Sequence, residues 1–242
     1  KAYWAIWGGD LYNAPRDEKN DFVRKNFKGY LTDFDDEVAK KKYNLDNKPF
    51  FCIHAIFPIT KEMIDKSTKN EKDYIKIQIN NSCDESTLEM LDVLSKFKEE
   101  NIKIITILSY GKMQFKDEII KKGKEIFADK FEFVENYMSS DEYAEHLVQN
   151  DILILNQNRQ QGVGNTVASL ALGAKVFIRS DVSTFDKLKK FNIDIFDSKN
   201  IQNLSFKELV ENYSCENNKK NAMKFFDDKY KTSLWKAVFD AK

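Results

Sequence analysis

Hydrophobic and polar positions alternate in blocks along this chain, and the blocks become regular after residue 74. Residues 74–79 read as a strand that ends in Asn80-Asn81-Ser82. Residues 86–99 carry Leu88, Leu91, Leu94 and Phe97 at a spacing of three, which predicts an amphipathic helix. Residues 102–108 form a continuous apolar, β-branched run that Ser109-Tyr110-Gly111 ends. A helix over 113–127, a strand over 131–134, a helix over 140–149 capped by Ser139 or Ser140, and a strand over 151–155 follow. Then come a helix over 166–172, a strand over 175–178, a helix over 183–191 and a short strand over 193–196. Strands that are apolar on both faces and alternate with helices predict a doubly wound parallel α/β sheet. The front of the chain is less regular. Residues 2–7 read as a buried strand closed by Gly8-Gly9-Asp10, 21–27 as a helix, 31–36 as a strand and loop, and 35–43 as a helix. Residues 50–57 form an apolar strand stopped by Pro58, and 217–240 one long helical region.

Composition narrows the class. The chain has 242 residues, 42% hydrophobic and 32% charged, as a soluble globular protein does. Lys plus Arg number 39 and Asp plus Glu number 39, so no global field favours nucleic acid and any anion site must be local. Cys52, Cys83 and Cys215 are far apart and make no CxxC, which points to neither a zinc site nor a disulfide framework. No apolar run reaches the ~20 residues of a membrane span. The first residue is Lys1, inside an apolar stretch, which reads as a fragment that lacks part of its fold.

Candidate chemistry centres on Arg159-Gln160-Gln161-Gly162-Val163-Gly164-Asn165-Thr166, between a strand and a helix. Glycines there let backbone amides approach a phosphate, and the helix N-terminus adds oriented N–H groups and partial positive charge. Arg159 supplies a fork for phosphate oxygens, and Asn165 or Thr166 a cap or a further hydrogen bond. The same residues also read as a tight turn with a capped helix. The pattern is neither GxGxxG nor a Walker loop, which disfavours a dehydrogenase or a P-loop NTPase. Asn80, Asn81 and Ser82, and Ser109, Tyr110 and Gly111, end strands on the same rim, and Tyr110 offers a face for a base. Tyr137 and Met138 sit at the next strand end. Asp10 closes the first strand and is a candidate general base, or a turn residue.

Four strings together resemble a known family: Trp7-Gly8-Gly9-Asp10-Leu11-Tyr12, Gln78-Ile79-Asn80-Asn81-Ser82, Ile107-Leu108-Ser109-Tyr110-Gly111 and Arg159 to Asn165. They are similar, in order, to the TDP-N-acetylfucosamine:lipid II N-acetylfucosaminyltransferases, glycosyltransferase family 56, of enterobacterial common antigen synthesis. The resemblance implies a GT-B architecture of two Rossmann-like halves. It implies transfer of a deoxyamino sugar from a TDP-sugar to a polyprenyl-diphosphate-linked glycan. The expected place is the cytoplasmic face of the inner membrane, by peripheral contact. On that template residues 1–44 are the remnant of an acceptor domain and crossing segment, 45–215 the donor domain, and 216–242 a helix packing back toward the N-terminal side. Asp10 and Arg159 carry the expected catalytic roles; the glycine turn and the two rim strings hold the nucleotide sugar. No cofactor is expected.

The remaining polar candidates read as structural. Asp33-Phe34-Asp35-Asp36 contains a DxD, but it precedes a charged helix and reads as first-turn capping, so a metal-independent reaction is expected. His54 and His146 are distant in sequence and read as structural, although His54 could reach the cleft; Asp181 and Ser183 read as a helix cap before a sugar contact, and the lysine-rich helices as solvated faces. The rivals are a sugar-nucleotide epimerase on the same fold, for which no convincing acid/base pair is visible, and a non-catalytic nucleotide-binding module.

Overall fold

The computed structural model describes residues 2–54, 57–211 and 213–241. Two parallel sheets organise them. In the first, β1 (Tyr3–Ala5), β2 (Gly29–Thr32) and β3 (Lys48–Phe51) lie in that order. Between them run α1 (Gly9–Tyr12), α2 (Glu18–Asn26) and α3 (Asp36–Tyr43). Trp4, Leu11, Tyr30, Ala39, Tyr43 and Leu45 form a core on one face of this sheet. Leu31, Phe50 and Cys52 face the other side, where Val238 of the last helix covers them. The first sheet therefore extends beyond the boundary read at residue 44, because Gly29–Thr32 pair residue by residue with Lys48–Phe51. The apolar run read as a strand over 50–57 pairs only as far as Phe51, and its Ala55 and Ile56 lie outside the described residues.

The second sheet contains β4 (Ile75–Ile79), β5 (Ile102–Ile107), β6 (Phe131–Val134), β7 (Ile152–Leu155), β8 (Lys175–Ile178) and β9 (Phe196–Asp197). Their spatial order is β6-β5-β4-β7-β8-β9, all parallel. The connecting helices are α5 (Ser86–Leu94), α6 (Lys116–Phe127), α7 (Ser140–Val148), α8 (Val163–Ala171) and α9 (Ser183–Lys190), with α4 (Lys61–Lys66) ahead of β4. After β9 come α10 (Phe206–Val210), α11 (Cys215–Met223) and α12 (Asp228–Phe239). Alternation along β7 shows why both faces are buried. Ile152 and Ile154 enter the core with Ile77, Leu91 and Ile104, whereas Leu153 and Leu155 enter the opposite core with Val167, Leu170 and Val176.

Local chemistry sets the helix ends. Ser139, not Ser140, caps α7, accepting from Glu142 N at 3.3 Å while Glu142 reaches back to Ser139 N. The terminal region is two helices, because Asp227 is extended and accepts from Lys229 N, restarting the chain as α12. α8 begins at Val163, three residues earlier than its apolar pattern predicts, so Gly164 lies in its first turn.

The two sheets are joined by side chains as well as by the chain. Phe34, beyond β2, enters the second core and packs edge-on to Phe191 and Phe225. Ser183 donates to Asp35 at 2.5 Å, and Lys187 pairs with Asp36. α12 returns to the first sheet, where Tyr3 Oη donates to Val238 O at 3.3 Å.

Candidate functional site

Strand order reverses between β4 and β7, and the carboxyl ends of those strands frame the crevice where open α/β sheets take ligands. After β4, Asn80 adopts a left-handed φ of 51°. Its amide nitrogen donates to Ser86 Oγ (3.1 Å) and Thr87 Oγ1 (2.9 Å), and its oxygen accepts from Asn156 N (2.9 Å). Asn80 therefore splices the β4 and β7 loops and has no group left for a ligand. Ser82 accepts from Gln161 Nε2 at 2.9 Å, tying the glycine turn to the same loop. Gly111, with φ 111°, presses on Cys83: a β-carbon there would stand 2.4 Å from Cys83 O. It locks two loops together.

Asn81 differs. It is 3% exposed, and its oxygen accepts from Gln78 Nε2 at 2.7 Å. Its nitrogen has no partner in the structure and points at Gly162, where a β-carbon would stand only 2.8 Å away. Gly162 is the α8 N-cap, in the left-handed conformation at φ 67°, ψ 35°. It offers no capping side chain. The first N–H groups of a helix have no partner within it, so Val163, Gly164 and Asn165 present donors beside the Asn81 amide. Thr166 does not join them; its hydroxyl bonds back to Gly162 O at 3.0 Å. Asn165 is held by Tyr143, which donates to its oxygen at 3.1 Å.

Opposite this cradle stands the first sheet. A cavity of about 210 Å³ is lined there by Trp7, Gly8, Asp33, Asp35 and His54, and by Gln160 and Gly162 to Asn165 on the other wall. Arg159 reaches across beside it, its guanidinium 5.7 Å from the Tyr12 ring centre. Asp35 accepts from Tyr12 Oη (2.7 Å) and Ser183 Oγ (2.5 Å). Burial raises its pKa above the usual carboxylate value; the two hydroxyls and, more weakly, Arg159 oppose that, while Asp36 adds to it. Asp33 accepts from His54 N at 3.0 Å. The His54 ring lies with Nε2 2.7 Å from Ile6 O and Nδ1 3.1 Å from Cys52 O.

Several sequence readings change here. Asp35 sits at the α3 N-cap but its carboxylate makes no cap bond, and it turns instead to Tyr12 and Ser183. Ser183 likewise caps nothing. Asp33 and Asp35 both line the cavity because the intervening Phe34 is drawn into the second core. The DxD spacing was the available signal. Asp10 does not line the cavity: Trp4 Nε1 donates to its Oδ2 at 2.6 Å and Trp7 N to its Oδ1 at 2.8 Å. Asp181 is clasped by Arg179 and Lys199. Tyr110, following Ser109 at the β5 end, stacks on Tyr137 with 6.2 Å between ring centres, and both are exposed. His146 is half-buried in α7, bonded to Gln78.

Solved structures place this geometry. A glycosyltransferase from Rickettsia africae superposes with a TM-score of 0.71 at 11% identity, over 95% of this chain and 69% of its own. An alpha,alpha-trehalose-phosphate synthase (UDP-forming) from Burkholderia vietnamiensis gives 0.68 at 7% identity, over 98% and 63%. A sucrose-phosphate synthase from Thermosynechococcus elongatus gives 0.66 at 12%, over 96% and 64%. The chain thus spans roughly two thirds of the length of these proteins and shares their GT-B fold. No curated protein sequence matches it. The sequence profile of the 4-alpha-L-fucosyltransferases, glycosyl transferase group 56, matches residues 1–242, and the chain belongs to that family of glycosyltransferases.

Proposed function

We propose that this glycosyltransferase moves an N-acetylfucosamine-like deoxyamino sugar from a TDP-sugar to a polyprenyl-diphosphate-linked glycan. The observation that carries the donor half is the cradle at the β4/β7 switch. A left-handed glycine opens a helix N-terminus, and the unpartnered, buried Asn81 nitrogen faces it. A diphosphate seated there accepts from the first-turn amides and from Asn81, and Arg159 neutralises charge as the leaving group departs. Exposed Tyr110 and Tyr137, at adjacent strand ends, supply aromatic faces for the thymine ring.

The acceptor hydroxyl enters from the first-sheet wall. Deprotonating it is the work of a carboxylate in the cavity, and Asp33 is the one we assign to it, replacing Asp10, whose two oxygens serve Trp4 and Trp7. The reaction proceeds in this reading without a metal ion. Peripheral contact with the cytoplasmic face of the inner membrane suits a lipid-linked acceptor. α2 supports it by exposing Phe22 and Val23 beside Lys25.

Calorimetric titration of the folded protein with TDP and with UDP tests the donor site. Binding of TDP, with UDP weaker, is expected; failure to bind either overturns the assignment.

A further inference from the structure

Gln78 is a polar residue at 0% exposure in the middle of β4, where its neighbours Ile77 and Ile79 are core. Burying an amide costs free energy unless each of its groups is bonded. All are. Its nitrogen donates to Asn80 O (3.1 Å) and Asn81 Oδ1 (2.7 Å). Its oxygen accepts from His146 Nε2 (2.8 Å) and Asn150 Nδ2 (2.7 Å).

One of those partners fixes the direction of the whole chain of bonds. A backbone carbonyl can only accept, so the Gln78 atom facing Asn80 O is the nitrogen. The atom of Asn81 that faces Gln78 must then be oxygen, and the Asn81 nitrogen is turned the other way, toward Gly162. The far end agrees. The Gln78 oxygen faces His146 Nε2 and needs a donor there, which puts the proton on Nε2 of a ring whose pKa burial, and secondarily Lys76, lowers to about 4.

We propose that Gln78 is a positioning residue for the donor: its bond to Asn81 Oδ1 holds the Asn81 nitrogen as a hydrogen-bond donor to the diphosphate at Gly162. The proposal rests on the reading of that cradle as a diphosphate site.

The test is a double-mutant cycle read by calorimetry with TDP and with inorganic pyrophosphate, using Gln78→Met, which keeps length but not the donor. Affinity for both falls about tenfold in the parent chain, the effect of losing one hydrogen bond to a charged group. The same substitution in an Asn81→Ala background changes affinity less than twofold. Equal losses in both backgrounds make Gln78 merely structural and overturn the inference, with the cradle reading intact. Absence of any binding to the parent chain overturns the cradle reading itself. If Gln78→Met does not fold, amide NMR of the parent chain decides. Pyrophosphate shifts the Asn81 side-chain resonances, assigned by their loss in Asn81→Ala. Shifts at Val163 and Gly164 with Asn81 unmoved overturn the proposal.

Discussion

The Asn81 side-chain nitrogen stands 2.8 Å from the point a β-carbon would occupy at Gly162. Two loops from strands adjacent in space but far apart in sequence meet at this contact, and so close an approach depends on the absence of that carbon. Gly162→Ala meets both the left-handed φ of 67° and the amide. We expect a loss of stability of about 1–3 kcal/mol and a greater loss of TDP affinity, measured by denaturant midpoints and calorimetry on the same preparation.

Arg159→Ala removes the cation beside the cradle. TDP affinity is expected to fall by roughly tenfold or more, the range for a charged hydrogen bond. Arg159→Lys recovers only part of it, because an ammonium cannot form the paired bonds of a guanidinium. Unchanged affinity in the alanine variant would mean that Arg159 serves only its packing against Tyr12.

Asp33 and Asp10 separate in kinetics. Asp33→Asn is expected to lower kcat by about 10²–10⁴, the usual worth of a general base, with donor KM little changed. Asp10→Asn loses one of two accepting oxygens and costs about 1–3 kcal/mol of stability, with kcat retained in the folded fraction. The opposite pattern returns the base to Asp10.

His146 gives a pH signature. Its pKa of about 4 in the folded chain lies below its ordinary 6.5. Between those values the unfolded chain holds a proton that the folded chain lacks, so stability rises with pH across that window and is lost as pH falls toward 4. The contribution is of order 3 kcal/mol. His146→Gln, measured against the parent by urea midpoints from pH 4.5 to 7, is expected to flatten that part of the dependence.

The second sheet was legible because burial on both faces leaves unbroken apolar runs such as residues 102–108, and the glycine turn marked the passage from β7 to α8. The first sheet was harder. β1 was legible within the apolar run 2–7 but pairs over three residues only, and β3, which begins Lys48-Pro49, was placed too late at 50–57 because its first half carries no apolar signal. The short helices α1, α4 and α10 carry too few turns for an apolar stripe, and went unseen. Among site residues, Asn80, Asn81 and Ser82 looked equivalent in sequence. Only bonding partners distinguish Asn80, fully spent on Ser86, Thr87 and Asn156, from Asn81, with a nitrogen left over.

Sequence by itself determined the α/β class, the parallel strands and the rim on which the glycine turn sits, because those follow from local periodicity and from the conformations that glycine and asparagine allow. It also carried the family, through four short strings in fixed order. Tertiary structure decided which polar groups are already paired and with what. Asp10 turned to two tryptophans, Asp35 to Tyr12 and Ser183, and Gln78 became a buried partner of Asn81. The physical reason is that a buried hydrogen-bonding group must find a partner, and the partners here come from strands and helices up to 148 positions away.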